Sequence, residues 1–149
     1  MGALIWPLLG VFAGAIVATQ APVNAALARD LGMPIAAAAV SFAIGAAALT
    51  LLATLVAPMQ GISLNWRAPA PWLFVMGGLL GATFVTCNII LAPKLGAAAL
   101  MAFMVAGQLL AGLLLDRIGF LGLAVREISL GRVTGAAMLL CGALLIRFT

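Results

Sequence analysis

Residues 77–116 read GGLLGATFVTCNIILAPKLGAAALMAFMVAGQLLAGLLLD. Two apolar runs flank Pro93-Lys94-Leu95-Gly96, a break with a proline at one end and a glycine at the other. So short a break can only turn the chain, which predicts an antiparallel hairpin of two helices. Polar side chains are few here: Thr86, Asn88 and Gln108 lie inside the apolar runs, and Asp116 closes the second. In a bilayer each must find a protein partner or a wet cavity, because hydrocarbon offers no hydrogen bonds.

Composition extends that reading to the whole chain. Hydrophobic residues make up 66% of the 149 residues and charged residues 7%, against about 25% charged in an ordinary globular protein. That is too little polar surface to coat a water-soluble particle, so the fold class is an all-α integral membrane protein. The sequence has no His, no Tyr, three Ser and three carboxylates. The usual nucleophile, base and metal-ligand sets are missing, and neither an enzyme nor a metal or cofactor site is expected. The seven Lys and Arg sum to a net charge of +4 but stand singly at segment ends. That pattern suits anchoring at lipid headgroups and gives no nucleic-acid footprint. Cys87 and Cys141 lie in apolar segments, where a thiol behaves as a small hydrophobe. The N-terminal MGALIWPLLG lacks the basic region of a cleavable signal, so its apolar run is expected to be retained as the first span.

Five apolar runs follow along the chain, at 4–28, 34–57, 71–92, 97–115 and 130–147, and are read as a single five-helix membrane domain over 1–149. The first is longer than the roughly 30 Å hydrocarbon layer requires, and Pro22 supplies a bend or hinge within it. Pro34 is placed at a helix start, Pro58 at a helix end, and Ser129 as the cap of the last helix. Trp66 and Trp72 fit an interfacial belt, and the apolar stretch from Ile118 to Val125 is too short to cross.

Five spans put the two termini on opposite faces. Arg67, Arg117, Arg126 and Arg132 then share one face, and Arg29, Lys94 and Arg147 the other. Positive-inside asymmetry sets orientation, so this near-tie predicts a chain that inserts both ways round or whose orientation is weakly fixed. Dual insertion permits an antiparallel homodimer, a ten-helix body with a two-fold axis in the membrane plane. Glycine pairs at Gly10 and Gly14, Gly77 and Gly81, and Gly131 and Gly135 allow close helix packing.

Gln20 and Asn24 flank Pro22 four residues apart, which puts both amides on one helix face. Asn88 shares a face with Gly77, Gly81 and Phe84, and Gln108 with Met101, Met104 and Gly112. These four amides are the candidate substrate-binding groups, lining an adaptable and mainly apolar pocket. Interhelical glue is the competing reading, for which measured pairs average about 0.6 kcal/mol. Asp116 carries two readings. If the fourth helix stops at Leu115, Asp116 with Arg117 is an interfacial pair or a helix end in contact with water; if it runs on toward Val125, the acid is drawn inward as a proton or ion carrier.

The same residues resemble a known family. Gly78 to Gly81, Pro93 to Ala98, Gln108, Leu113 to Gly119, Gln20 with Asn24, Ser41-Phe42-x-x-Gly45 and the closing GALLIR at 142–147 are similar to the YdcZ family. These are small five-helix proteins of the bacterial inner membrane within the drug/metabolite transporter superfamily. The resemblance implies a multi-pass transporter, an exporter working by alternating access. Its solute would sit at the midplane of an antiparallel pair of identical or homologous chains. Small multidrug resistance proteins, more distant relatives, carry an essential Glu in their first helix; here that helix has no acid, only Gln20 and Asn24. A non-transporting membrane protein, or an obligate half of a heteromeric complex, stays open as the alternative.

Overall fold

The computed structural model describes residues 4–148. Five helices account for most of them: α1 (Ile5–Leu31), α2 (Pro34–Met59), α3 (Pro71–Leu95), α4 (Ala97–Ile118) and α5 (Leu130–Phe148). All five are long and apolar enough to cross a membrane. The longest, α1 at 27 residues, spans about 40 Å at roughly 1.5 Å per residue. Their large side chains point outward all round, as with Trp6, Ile44, Leu80, Leu114 and Leu145. A helix that is apolar on every side and not covered by protein is covered by lipid.

The chain divides after Pro93 into two compact units. In the first, α1 and α2 form a hairpin closed by Gly32, whose φ of 72° is left-handed, with Pro34 opening α2. Ala28, Ala37, Ala38, Val85 and Ile89 from α1, α2 and α3 form the core. Alanine at the crossing lets the backbones approach, which is how helices without a hydrophobic driving force gain contacts in lipid. Burial is confined to one end of this unit. Residues 5–16 of α1 and 71–80 of α3 are all exposed, while Ala21, Ala25, Val85 and Ile89 are buried.

Local signals set the helix ends. At the end of α2 the Gly61 N–H donates to the Pro58 carbonyl and the Ile62 N–H to that of Ala57, with Gly61 at φ 64°. This is the doubly bonded glycine stop that satisfies the last free carbonyls of a helix. The end of α3 differs from expectation. It runs through Pro93 to Leu95, and the anticipated four-residue turn shrinks to Gly96. A proline so near a C-terminus forfeits one backbone bond at a place where carbonyls are running out of donors anyway, so the helix tolerates it. Gly96 then carries the whole turn at φ 79°, ψ 159°, a conformation essentially closed to residues with a Cβ. Gly96→Ala is expected to lower stability by about 1–3 kcal/mol. Gly10→Ala, inside α1 where an added Cβ meets nothing within 4 Å, should instead hold or slightly raise the melting temperature in detergent, through up to about 1 kcal/mol of helix propensity.

In the second unit α4 packs against α5, and the buried residues of the two helices are Ala99, Leu100, Ala106, Leu113, Ala136 and Ala143. α4 stops at Ile118 on a left-handed Gly119, followed by one 3₁₀ turn at Phe120–Gly122 and extended chain. A Cβ at Gly119 would lie 2.8 Å from Val125 Cγ2, so the loop folds tightly back on the helix end. The Arg126 N–H secures it by donating to the Asp116 carbonyl at 3.0 Å. Ser129 caps α5 as expected, its Oγ accepting from the Arg132 N–H at 3.3 Å.

Candidate functional site

Four threonine hydroxyls on these helices find partners on their own backbone. Thr19, Thr54, Thr83 and Thr134 donate to the carbonyls of Ala15, Leu51, Leu79 and Gly131 at 2.8–3.0 Å. A threonine side chain is short enough to reach back one turn in this way. The four amides singled out by the sequence do otherwise. Among the described residues, the side chains of Gln20, Asn24, Asn88 and Gln108 have no hydrogen-bond partner.

The structure separates them by environment. Asn24 and Asn88 are each only 6% exposed, and both belong to the first unit. Asn24 lies one turn from Ala28, and Asn88 is next to Ile89 and one turn from Val85, so both flank the shared alanine core. No described side-chain nitrogen or oxygen is both fully sealed and unpartnered, so these amides keep an outlet. Gln20, one turn before Asn24, is exposed and lines an open groove of about 290 Å³ with Ser41, Phe42, Gly45 and Val85. That groove begins where the core of the first unit ends. It unites Gln20 with the Ser41-Phe42-x-x-Gly45 motif, a grouping that periodicity within one helix could not foretell.

Gln108 is exposed on α4 in the second unit. A separate, almost wholly apolar groove in that unit is lined by Met101, Val105, Leu139 and Ile146 among others, and does not include Gln108. Pro22 lies inside α1, which continues as helix on both sides of it. Its missing N–H leaves the Ala18 carbonyl without that backbone donor.

Asp116 requires a correction. α4 ends neither at Leu115 nor near Val125 but at Ile118, and the carboxylate pairs with Arg132 rather than with Arg117. Arg132 Nη2 donates to Asp116 Oδ2, while its Nη1 reaches the Glu127 carbonyl at 3.4 Å. The two side chains are 28% and 31% exposed, so the pair is part-buried between the ends of α4 and α5. Sequence reasoning missed Arg132 because sixteen residues and a folded loop separate the partners. Among the described residues no cluster of His, Cys, Asp or Glu is fit to hold a metal.

Residues 5–145 match the family described as "Putative inner membrane exporter, YdcZ". The chain is similar to the inner membrane protein YdcZ of Escherichia coli (strain K12), with 39% identity over 75 residues. That match covers 50% of this chain and 50% of the relative, so the likeness spans about half the length of each. No solved structure matches. The family match runs through all five spans and includes every amide discussed above, so this chain belongs to the YdcZ family of multi-pass inner-membrane proteins.

Proposed function

We propose that the chain is one subunit of an exporter that moves a small, uncharged, weakly amphipathic solute by alternating access. Two copies lie antiparallel and make a ten-helix body resembling the drug/metabolite transporters. Gln20, Asn24, Asn88 and Gln108 of both copies supply the hydrogen bonds to the solute near the midplane. The observation that carries this reading is that four amides inside apolar spans lack protein partners, although an unpaired amide in hydrocarbon costs several kcal/mol. A hydrated, solute-accepting space removes that cost. Neutral groups around the Gln20 groove favour a neutral solute, since neither a cation nor an anion would find a counter-charge there.

Pro22 serves in this scheme as the pivot of α1, between the groove and the buried amide. Coupling to a proton or cation, if the cycle uses one, passes through Asp116, which then has to exchange Arg132 for the ion. The near-equal division of Lys and Arg between the two faces supports an identical, inverted partner.

Flux measurements test the proposal. Proteoliposomes loaded with a mixture of small amides, polyols and short alcohols should lose particular members faster than empty liposomes. Gln108→Leu and Asn24→Leu should abolish that loss while cross-linked dimers persist. Undiminished flux in either variant removes that residue from the site. Insertion in a single orientation would point instead to half of a heteromeric pair.

A further inference from the structure

The groove that holds Gln20 has one wall whose position depends on a missing atom. Phe42 on α2 lines the groove together with Gln20, Ser41 and Val85. On its other flank the ring rests against α3 at Gly81, where a Cβ would fall 3.2 Å from Phe42 Cζ and 3.3 Å from Cε1. That is closer than side-chain carbons normally sit, so the ring occupies room that only glycine leaves. Gly77 and Gly78 on the same helix meet nothing within 4 Å and show no such contact. Phe42 is 39% exposed, so one part of the ring is held by α3 while the rest borders open space. Any side chain added at Gly81 pushes the ring away from α3.

We infer that Gly81 and Phe42 act together as the size-setting element of the groove: Gly81 fixes how far the ring withdraws, and the ring fixes how bulky a solute fits beside Gln20 and Ser41. The inference rests on reading the groove as the solute site, and it adds the substrate class. A groove of about 290 Å³ lies at the lower bound of ligand pockets, about 300 Å³. It suits a solute of a few heavy atoms with one hydrogen-bonding end. Gly81 and Phe42 are then specificity residues that need not bond to the solute.

Thiol labelling measures this without knowing the solute. In full-length chain carrying Cys87→Ala and Cys141→Ala, Ser41→Cys is treated in nanodiscs with methyl and with benzyl methanethiosulfonate. Adding Gly81→Val should slow the benzyl reagent about tenfold, the scale on which a pocket discriminates a bulkier group, and leave the methyl reagent nearly unchanged. Phe42→Ala should accelerate the benzyl reagent and, combined with Gly81→Val, restore it. Equal slowing of both reagents, or no change in either, overturns the inference, as does a groove in which neither reagent reacts. Should Gly81→Val fail to insert, Phe42→Ala alone decides, because a benzyl rate that does not rise overturns it. Labelling reports groove dimensions whether or not the chain transports, so failure here leaves the flux test standing, and the reverse.

Discussion

Asn88→Leu is expected to make the protein more stable and to stop transport. The two effects have one cause. Asn88 is 6% exposed and its amide has no partner among the described residues, so the folded chain carries a polar group that its own packing does not satisfy. Leucine keeps the branch at Cγ and removes the need to keep that amide hydrated, so the gain should stay below the about 1–3 kcal/mol that a wholly sealed, unpaired amide costs. Asn24→Leu should behave alike, since it shares both the burial and the missing partner. If instead the amides hold helices together, each variant should lose stability, by about 0.6 kcal/mol on the scale of measured pairs in membranes. A thermal melt in detergent beside a flux assay therefore separates the two readings by sign. A lower melting temperature with flux intact would sink the solute-site assignment for these positions. Stability gained together with function lost is the signature of groups retained for what they bind.

How much of this was legible beforehand depends on how far apart in sequence the deciding residues are. The five spans were legible because runs of Leu, Ala, Val and Ile at this length have no stable alternative to a membrane helix. The Ser129 cap and the opening proline of α2 were legible because their partners lie within one turn. The end of α3 is not legible in the same way, because Pro93 looks like a stop in any position, whereas its cost depends on how many bonds remain to lose. The glycine-only turn at Gly96 followed from that extension.

Identifying the candidate site followed the same rule. Spacing alone put Gln20 and Asn24 on one face, but not the difference that Asn24 is buried while Gln20 lines a groove. That difference arises because α1 is covered by α2 and α3 only toward the hairpin end, a property of three helices together. Phe42 could be quoted as part of a motif, yet its seat against Gly81 needed the packing of α2 on α3. Nothing local says that the loop after Gly119 doubles back far enough to bring Arg132 to Asp116.

That ion pair leads to the second large effect. Removing either partner alone, by Asp116→Ala or Arg132→Ala, should destabilise the second unit, while a simultaneous charge exchange, Asp116→Arg with Arg132→Asp, should restore it. Both native charges stand at the wrong ends of their helices. Asp116 is in the last turn of α4, where the macrodipole is negative, and Arg132 is in the first turn of α5, where it is positive. Each is therefore held in place by the other and not by its own helix. The part-buried pair lies between the exposed case, about 0–1 kcal/mol, and the fully buried one, where losing a partner costs about 3–5 kcal/mol. A coupling of about 1–2 kcal/mol in a double-mutant cycle is expected between those limits. The exchanged pair loses the bond to the Glu127 carbonyl, but it aligns each charge with its helix end, worth about 0.3–1 kcal/mol per site. The exchanged protein should thus melt near or above the native temperature, and less so in high salt. If the exchange melts as low as the single variants, the loop geometry and not the charge pair holds the ends of α4 and α5 together. Transport that survives the exchange would in turn show that the carboxylate at Asp116 carries no coupling ion, because the acid would then stand on the other helix.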